Sequence, residues 1–407
     1  MPIDSNLPAP RLGDRAAFPD LQPFAYLNHA AISPPSLAVR AAVAECLDGY
    51  AARGIGMVGH EIARREDLRG MLAGLLGADA ADVALLPNTS AGVVDVALCL
   101  PWQPGDRVLL FEGEFPTNVT PWQQAARRHG LELVWQPADA FRTTPEAAMA
   151  ALRAELDRGV RLVAVSAVQF QTGLRMPLEA IGAACRDAGT ELFVDAIQAL
   201  GIVPLDVRAM GVHYLAAGGH KWLMGPEGIG VLYVQPDAAA RLRPEVAAWM
   251  SHENAFDFLI HGAGLLRYDR PVVQTARMVE GGAPNVLGTA ALQASLRAIT
   301  ALGVPAIFAH VQAYLDRLEA GMVARGFRSL RARDLGLRSG IASFHVPVGD
   351  APAWSHALAA RGVSVASPDG LLRCSPHWPN HPAEIDGVLA AVDAILADPR
   401  GAGIEAA

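Results

Sequence analysis

The sequence predicts an α/β protein in which a large domain with a mainly parallel seven-stranded sheet is followed by a smaller α+β domain. Seven short apolar runs, typical of strands buried on both faces, alternate with Ala-rich helical segments. An irregular stretch over about 236–285 follows the seventh run, and helical and strand-like patterns resume beyond it. A chain of 407 residues that is 52% hydrophobic has enough apolar material for two cores.

The predicted elements follow one another in a regular order. The predicted units are an N-terminal arm over 1–25, a large domain over 26–285 and a small domain over 286–407. Ser36 caps the first predicted helix, in which Val39, Val43 and Cys46 recur at helical spacing. The seven predicted strands are 83–86, 107–111, 132–135, 162–168, 191–194, 212–216 and 229–234. Further predicted helices are 93–100, 147–158, 178–188, 286–302, 304–325, 353–361 and 382–396, with small-domain strands at 341–346 and 371–374.

The composition argues against several classes of protein. With 33 basic and 41 acidic residues the net charge is −8, so no nucleic-acid partner is expected. The apolar runs are broken well before the roughly 18 residues that a membrane span needs, and the N-terminus lacks the pattern of a signal peptide. The four cysteines show no metal-ligand spacing. We therefore expect a cytoplasmic protein with reduced thiols, without a metal site or a membrane partner.

Lysine usage singles out one residue. The 33 basic residues are 32 arginines and one lysine, Lys221. Compositional drift explains the arginines, because Arg replaces Lys wherever only a positive charge is needed. A guanidinium stays protonated and cannot replace a nucleophilic amine, so Lys221 is a candidate for chemistry.

Polar residues follow three of the predicted strands, at the edge of a parallel sheet where ligands bind. Thr89 and Ser90 open a helix and could hold an anion such as phosphate. Asp195 could pair with a cationic ring nitrogen, and Lys221 follows two glycines that allow close approach of a ligand. Taken singly, the first two signals are better explained as ordinary helix caps, and a solvated strand end would be the default explanation of the lysine in a lysine-rich chain. Together they suit a phosphorylated pyridine aldehyde bound as a Schiff base.

These motifs resemble those of a known family. The order 88–90 (NTS), 195–198 (DAIQ) and 218–222 (GGHKW), with the opening 26–31 (YLNHAA), is similar to the class V branch of fold-type I enzymes that use pyridoxal 5'-phosphate (PLP). That branch includes isopenicillin N epimerase-like proteins, kynureninases, C–S lyases and cysteine desulfurases. The resemblance extends from about Tyr26 to the last helix, and it implies an aspartate aminotransferase-like fold with PLP as cofactor.

The resemblance also implies roles for individual residues. It makes Lys221 the Schiff-base lysine, Asp195 the partner of the protonated ring nitrogen and Arg373 the clamp for the substrate carboxylate. The other implied cofactor contacts are Thr89, Ser90, Phe115, Gln198, His220, Gly282 and Ala283. The implied substrate contacts are His29, Ala30, Gln169 and Arg373. In the family the loop that matches Gly282 and Ala283 reaches the neighbouring subunit's site, which implies a homodimer with shared active sites.

The sequence also departs from the desulfurase pattern. Residues 341–372 contain no cysteine, where desulfurases carry their sulfur-accepting thiol. Cys374 follows Arg373 directly and would point to the opposite face of a strand, so persulfide chemistry is disfavoured. Gly218 and Ala283 stand where many members have phosphate-binding Ser and Thr, which thins the implied phosphate contacts.

The expected function is therefore that of a PLP enzyme acting on a small amino acid through an external aldimine. Lyase-type chemistry, meaning β-elimination or C–S or C–C cleavage, is favoured because the Gly-His-Lys motif resembles that of lyase and epimerase members. Transamination and epimerisation or racemisation remain alternatives because they share the first steps. A catalytically silent binding protein of this fold would be expected to have lost cofactor residues, which are present here.

Overall fold

The computed structural model of the chain describes residues 7–404. Its strands are β1 (Ala25–Tyr26), β2 (Val83–Leu86), β3 (Arg107–Glu112), β4 (Glu132–Pro137), β5 (Leu162–Ser166), β6 (Glu191–Asp195), β7 (Tyr214–Gly218), β8 (Gly230–Val234), β9 (Arg328–Ser329), β10 (Ala342–His345), β11 (Val363–Ser364) and β12 (Leu372–Cys374). Its α-helices are α1 (Leu37–Arg53), α2 (Val58–Leu76), α3 (Thr89–Cys99), α4 (Thr120–His129), α5 (Ala140–Thr143), α6 (Pro145–Leu156), α7 (Leu178–Asp187), α8 (Pro236–Ala239), α9 (Asp257–Ile260), α10 (Val286–Leu302), α11 (Val304–Val323), α12 (Ala351–Ala359) and α13 (Glu384–Ala397).

Strands β2 to β8 form one seven-stranded sheet in the order β2-β8-β7-β6-β5-β3-β4. The pairs among β3 to β7 are parallel, whereas β8 runs antiparallel to both β2 and β7. Strands β5 to β8 are buried at every residue, as expected for strands covered by helices on both faces. Each predicted strand of the large domain is present, and the mainly parallel sheet is confirmed.

The two faces of this sheet form separate cores because side chains alternate along each strand. In β3, Val108 and Leu110 pack with Trp122 of α4 on one face. Leu109 and Phe111 point to the other face, which is covered by α2, α6 and α7. The strands are thus held rigidly, and their carboxyl ends provide a fixed edge for a site.

A second sheet of three antiparallel strands, in the order β12-β10-β9, lies towards the C-terminus. Helix α11 packs against β9 and α13, and α12 packs against β11 and β12. Strand β1 pairs in parallel with β11, so the start of the described chain packs on C-terminal elements. Helix α10, the predicted start of the small domain, packs against α1 and α2. The predicted boundary at 285/286 stays a prediction.

Helix α2 is the largest element that the sequence pattern did not predict. Several of its core-facing positions carry charged residues, among them Arg65 and Arg69, which are buried. Their side chains hide the apolar periodicity on which helix prediction depends. The stretch predicted as irregular contains only the short helices α8 and α9 and single turns.

Within residues 7–404 no single helix is long and apolar enough to cross a membrane; α10 and α11 would pass by length and composition only as a pair bent by 77°. In the same part of the chain no three His, Cys, Asp or Glu side chains are grouped so as to hold a metal ion.

Candidate active site

The sequence-predicted residues at the strand ends meet at the carboxyl edge of the large sheet. Asp195 is the last residue of β6, and Gly218 is the last residue of the neighbouring strand β7. In the register of these two strands Asp195 lies beside Ala216. The turn that follows β7 carries Lys221, and main-chain hydrogen bonds from Gly225 N–H to Gly219 O (2.8 Å) and from Met224 N–H to Lys221 O (3.0 Å) close it.

Lys221 is held between an aromatic ring and charged groups. Its Nζ lies 5.6 Å from the centroid of the Phe115 ring. Burial lowers the pKa of Lys221 below its ordinary value; the charge of Asp195 acts in the opposite direction, and the charge of Arg373 lowers the pKa further. A larger fraction of neutral, nucleophilic amine is the result.

Asp195 is a buried carboxylate, 2% exposed. Its Oδ1 accepts a hydrogen bond from the Ile197 N–H at 3.0 Å. Burial raises the pKa of Asp195, and so does the charge of Glu114, whereas Lys221 lowers it. Such a carboxylate is stabilised when a cationic N–H is bound beside it, as the protonated ring nitrogen of PLP would be.

Glu114 is a second buried carboxylate near Asp195, and no sequence signal singled it out. It accepts hydrogen bonds from the Ser166 N–H (2.7 Å), the Ser166 hydroxyl and Gln169 Nε2 (3.1 Å). Burial raises the pKa of Glu114, although these donors oppose the rise. The hydrogen bond from Nε2 to Glu114 fixes the orientation of the Gln169 amide. The amide oxygen of Gln169 is a buried acceptor without a partner among the described residues.

The first turn of α3 forms the predicted phosphate cradle. Asn88 caps the helix by accepting a hydrogen bond from the Ala91 N–H at 2.9 Å. The Thr89 hydroxyl is buried and has no partner in the part of the chain that the structure describes. The Ser90 hydroxyl lies 2.8 Å from that of Thr117.

His220 completes this side of the site. Burial lowers the pKa of His220, and the neighbouring charge of Lys221 lowers it further. A Cβ atom on Gly218 would lie 3.1 Å from the His220 ring. The missing side chain at Gly218 therefore makes room for the imidazole.

Phe115 is 44% exposed and packs edge-on against Phe170, with ring centroids 5.2 Å apart. An exposed aromatic ring beside the Lys221 amine is suited to stacking on a planar cofactor ring. The position of Phe115 thus agrees with the role that the resemblance implies.

Arg373 reaches the site from the middle of β12. Its Nη1 donates a hydrogen bond to the Phe170 carbonyl at 2.8 Å, and its buried Nε has no partner within residues 7–404. Burial lowers the pKa of Arg373 to about 10, so the guanidinium stays charged at neutral pH. The free Nε–H is available to a carboxylate. Cys374, the next residue, is buried, and burial raises the pKa of its thiol to about 12.

Three predicted contacts have partners within the chain that the sequence did not indicate. Gln198 donates from Nε2 to the Ala30 carbonyl (3.0 Å) and accepts from Trp222 Nε1 (2.8 Å), which leaves one amide hydrogen for a ring oxygen. His29 is buried, and its Nδ1 lies 2.7 Å from the Ser33 hydroxyl. The His29 imidazole and the Ala30 carbonyl therefore lie at the site, but both are hydrogen-bonded to other residues of the chain.

Gly282 and Ala283 occupy a different position from the other predicted residues. Both are exposed, on the rim of a groove of about 310 Å³ that Arg65 and Pro87 also line. Asn285 anchors this loop by donating to the Gly228 carbonyl at 2.9 Å. Their predicted role in a neighbouring subunit's site stays a prediction.

The site can be tested for its fit to PLP by its unsatisfied polar atoms. Buried polar groups without a partner are uncommon and point to a missing ligand. Three such atoms belong to the predicted site, namely Thr89 Oγ1, Gln169 Oε1 and Arg373 Nε. The Thr89 hydroxyl can donate to a phosphate, the Gln169 oxygen can accept a hydrogen bond, and the Arg373 Nε–H can donate to a carboxylate. Asp195 can pair with a cationic N–H. The residues present fit PLP with an amino-acid substrate.

Comparisons with known proteins agree with this geometry. The family model described as aminotransferase class V matches residues 25–382. The protein named "Uncharacterized aminotransferase YcbU" of Bacillus subtilis (strain 168) is 27% identical over 94% of this chain and 96% of its own. A cysteine desulfurase of Dickeya dadantii is 33% identical over 73% of this chain and 72% of its own. The solved structure of a C-DES mutant with glycine covalently linked to the PLP cofactor is 25% identical, with a TM-score of 0.83, over 93% of this chain and 98% of its own. The predicted fold and family are confirmed, and the chain belongs to the class V aminotransferase family.

Proposed function

We propose that this protein is a PLP-dependent lyase that breaks a bond of a small amino acid by β-elimination or by C–S or C–C cleavage, without a cysteine of its own as sulfur acceptor. The family match and the PLP bound in the C-DES structure support the cofactor. The observation that carries the proposal is that Lys221, Asp195 and Arg373 lie together at one edge of the sheet. Every cysteine among the described residues is buried, so no exposed thiol is available at this site.

When bound, PLP supplies an aldehyde that links to amines and a ring that takes up the electron pair of the bond broken in the substrate. Lys221 would hold the aldehyde, and its lowered pKa favours the neutral amine, which can accept a proton from the substrate. Asp195 keeps a proton on the ring nitrogen. Phe115, whose ring centroid lies 5.6 Å from the Lys221 amine, would stack on the cofactor ring.

Arg373 orients the substrate in this proposal. Its free Nε–H binds the carboxylate, while the hydrogen bond to Phe170 prevents the guanidinium from rotating. A carboxylate held there would limit how the substrate can rotate and would thereby select the bond at Cα that is cleaved.

The cysteines support a reaction without a persulfide on the protein. All four, Cys46, Cys99, Cys185 and Cys374, are buried. Burial raises the pKa of Cys374, the one beside Arg373, so little thiolate is present to attack sulfur.

Transamination is the second candidate, because a relative that covers 94% of this chain is named an aminotransferase. The same residues would serve it, with Lys221 returning the proton to a different atom. Epimerisation would require the proton to return to the opposite face of Cα.

The reaction is tested by loading the purified protein with PLP and incubating it with a panel of small amino acids. A lyase releases pyruvate, alanine or ammonia while the cofactor stays as PLP. Before any amino acid is added, Lys221→Ala should lack the visible absorption band of the lysine-linked cofactor. After the amino acid is added, the same variant should release no product. Arg373→Gln should raise KM by about 100-fold for amino acids, since loss of a buried charged pair costs roughly 3 kcal/mol.

Three outcomes would contradict the proposal. Accumulation of pyridoxamine 5'-phosphate with a keto acid and no lyase product would establish transamination. Loss of optical rotation without a new product would establish epimerisation. Cys374→Ala is the control for persulfide chemistry, and loss of activity in that variant would show that the thiol takes part.

We further propose that the enzyme is a homodimer with shared sites. The exposed loop with Gly282 and Ala283 and the exposed apolar residues of α1 and α2 support this assembly.

A further inference from the structure

Two buried histidines lie beneath the turn that carries Lys221. His29 is 1% exposed and His377 is fully buried, and their ring centroids are 5.4 Å apart. Burial lowers the pKa of both imidazoles well below the ordinary value, so both are neutral at neutral pH. A buried polar pair costs stability unless it is hydrogen-bonded, and both rings have hydrogen-bond partners.

The first histidine acts on Lys221 through a serine. The Ser33 hydroxyl donates to the Lys221 carbonyl at 2.6 Å. Since its single proton is used there, the contact of 2.7 Å between Ser33 and His29 must run from the Nδ1–H of His29 to the serine oxygen. The Ser33 N–H also donates to the His220 carbonyl at 2.8 Å, so Ser33 holds two successive carbonyls of the turn.

The second histidine acts on the next residue of the same turn. Nδ1 of His377 accepts from the Trp378 N–H at 2.7 Å. The other nitrogen, Nε2, therefore carries the proton, which it donates to the Trp222 carbonyl at 2.9 Å. The carbonyls of Lys221 and Trp222 are thus each held by a donor that depends on a buried histidine.

The same segment reaches the strand that carries Arg373. The His29 N–H donates to the Ser375 carbonyl (3.1 Å), and the Ala30 N–H donates to the Ser375 hydroxyl (3.0 Å). Ser375 is two residues beyond Arg373 in the chain. Residues 29–33 therefore link the main chain of the carboxylate clamp to the main chain of the cofactor lysine.

We propose that His29, Ser33 and His377 are positioning residues that fix the main chain of Lys221 and couple it to the strand of Arg373. This inference rests on the proposed function of Lys221 and Arg373. It assigns to the His29 imidazole the positioning of Lys221 in place of the predicted contact with substrate.

The single lysine of the chain makes a direct test possible. Reductive methylation of the full-length protein with ¹³C-formaldehyde labels Lys221 and the N-terminal amine, and NMR then gives the pKa of each. PLP affinity is measured separately on unlabelled protein, by titration of the visible absorption band. We expect Ser33→Ala and His29→Leu to move the pKa of Lys221 towards its ordinary value and to weaken PLP binding about tenfold, as for one lost hydrogen bond.

Conservative variants separate positioning from packing. In His29→Asn the amide nitrogen takes the place of Nδ1, whereas in His29→Gln it takes the place of Nε2. We therefore expect His29→Asn to keep the Lys221 pKa and the PLP affinity of the parent protein, and His29→Gln to change both as His29→Leu does. For His377 the order reverses, because Nε2 is the donor there. His252→Gln is the matched control, since the Nδ1 of His252 bonds the Arg270 carbonyl at 2.7 Å, in the segment 236–285.

The outcomes are decisive in either direction. Equal Lys221 pKa values and equal PLP affinities in His29→Asn and His29→Gln would overturn the proposal, even if His29→Leu fails to fold. A parent protein that binds no PLP would instead refute the proposed function, and the Lys221 pKa values would still test the positioning role.

Discussion

Lys221 experiences opposing influences, and their signs can be measured one at a time. The negative charge of Asp195 raises the pKa of Lys221, whereas the positive charge of Arg373 lowers it. We predict that Asp195→Asn lowers the pKa of Lys221 further and that Arg373→Gln raises it. A lower pKa means more neutral amine at pH 7, so acylation of Lys221 should become faster in Asp195→Asn and slower in Arg373→Gln.

The measurement is the rate of acylation of this single lysine as a function of pH, followed by mass spectrometry. The N-terminal amine in the same sample is the internal reference. The opposite order of the two variants would show that neither charge acts on the amine as the structure indicates.

The residue scale is also where the sequence left most undecided. Lys221, Asp195 and Arg373 could be predicted because each matches a motif of the family. Glu114 could not, because nothing in the sequence around it shows that its carboxylate is buried against Ser166 and Gln169.

At the scale of elements, a substitution at the start of α3 should affect PLP binding and the stability of the fold differently. The Thr89 hydroxyl is buried without a partner among the described residues, so Thr89→Val removes an unsatisfied group. We predict that this variant leaves the free energy of unfolding of the PLP-free protein unchanged or raises it. Its PLP affinity should fall by about tenfold or more, because a hydrogen bond to a charged phosphate is worth roughly 1.5–3 kcal/mol.

Thr190→Val provides the matched control for this prediction. The Thr190 hydroxyl is buried and donates to the Val160 carbonyl at 2.7 Å. This substitution should lower stability by about 1 kcal/mol and leave PLP affinity unchanged. Unaltered PLP binding in Thr89→Val would remove that hydroxyl from the cradle.

Helix α2 is held to the loop at residue 280 by buried ion pairs. Glu280 accepts hydrogen bonds from Arg65 (2.5 Å), Arg69 (2.5 Å) and the Leu85 N–H (2.7 Å). Burial alone would raise the pKa of Glu280, but the hydrogen bond and charge of Arg69 and the charge of Arg65 lower it. The stabilisation is therefore present at neutral pH and is lost as the pH falls through the lowered pKa of Glu280.

We predict that Glu280→Gln lowers the free energy of unfolding by about 3 kcal/mol, because it leaves two buried guanidinium groups without their charge partner. Urea denaturation followed by circular dichroism measures the change. Glu66→Gln, at an exposed partner of Arg69, is the control and should cost less than about 1 kcal/mol. Equal effects of the two substitutions would show that the buried pairs contribute no more than surface ones.

At the scale of the whole molecule, the predicted homodimer can be tested through exposed apolar side chains. Ile55, between α1 and α2, is 88% exposed, and Tyr268 is 90% exposed. Leu47, Val58 and Ile62, close to Ile55 in the chain, are also exposed, and a group of exposed apolar side chains is typical of a surface that a partner covers. We predict a mass in solution of about twice 42.8 kDa, measured by light scattering.

Ile55→Glu should shift this mass towards the monomer and weaken PLP binding, if the loop with Gly282 and Ala283 reaches the neighbouring site. Val323→Glu, at an exposed apolar residue of α11, which packs against β9 and α13, is the control. A monomeric parent protein that binds PLP fully would contradict the shared site.

The sequence by itself determined the family, the seven strands of the large sheet and the three charged residues at its edge. Strand runs and motifs are local, so they can be recognised without knowing what packs against them. Only the tertiary structure decided how buried polar groups are paired, as with Arg65, Arg69 and Glu280, or with His29, Ser33 and Lys221. These partners lie up to 215 residues apart in the chain, and their energies depend on burial and direction, which no local pattern records.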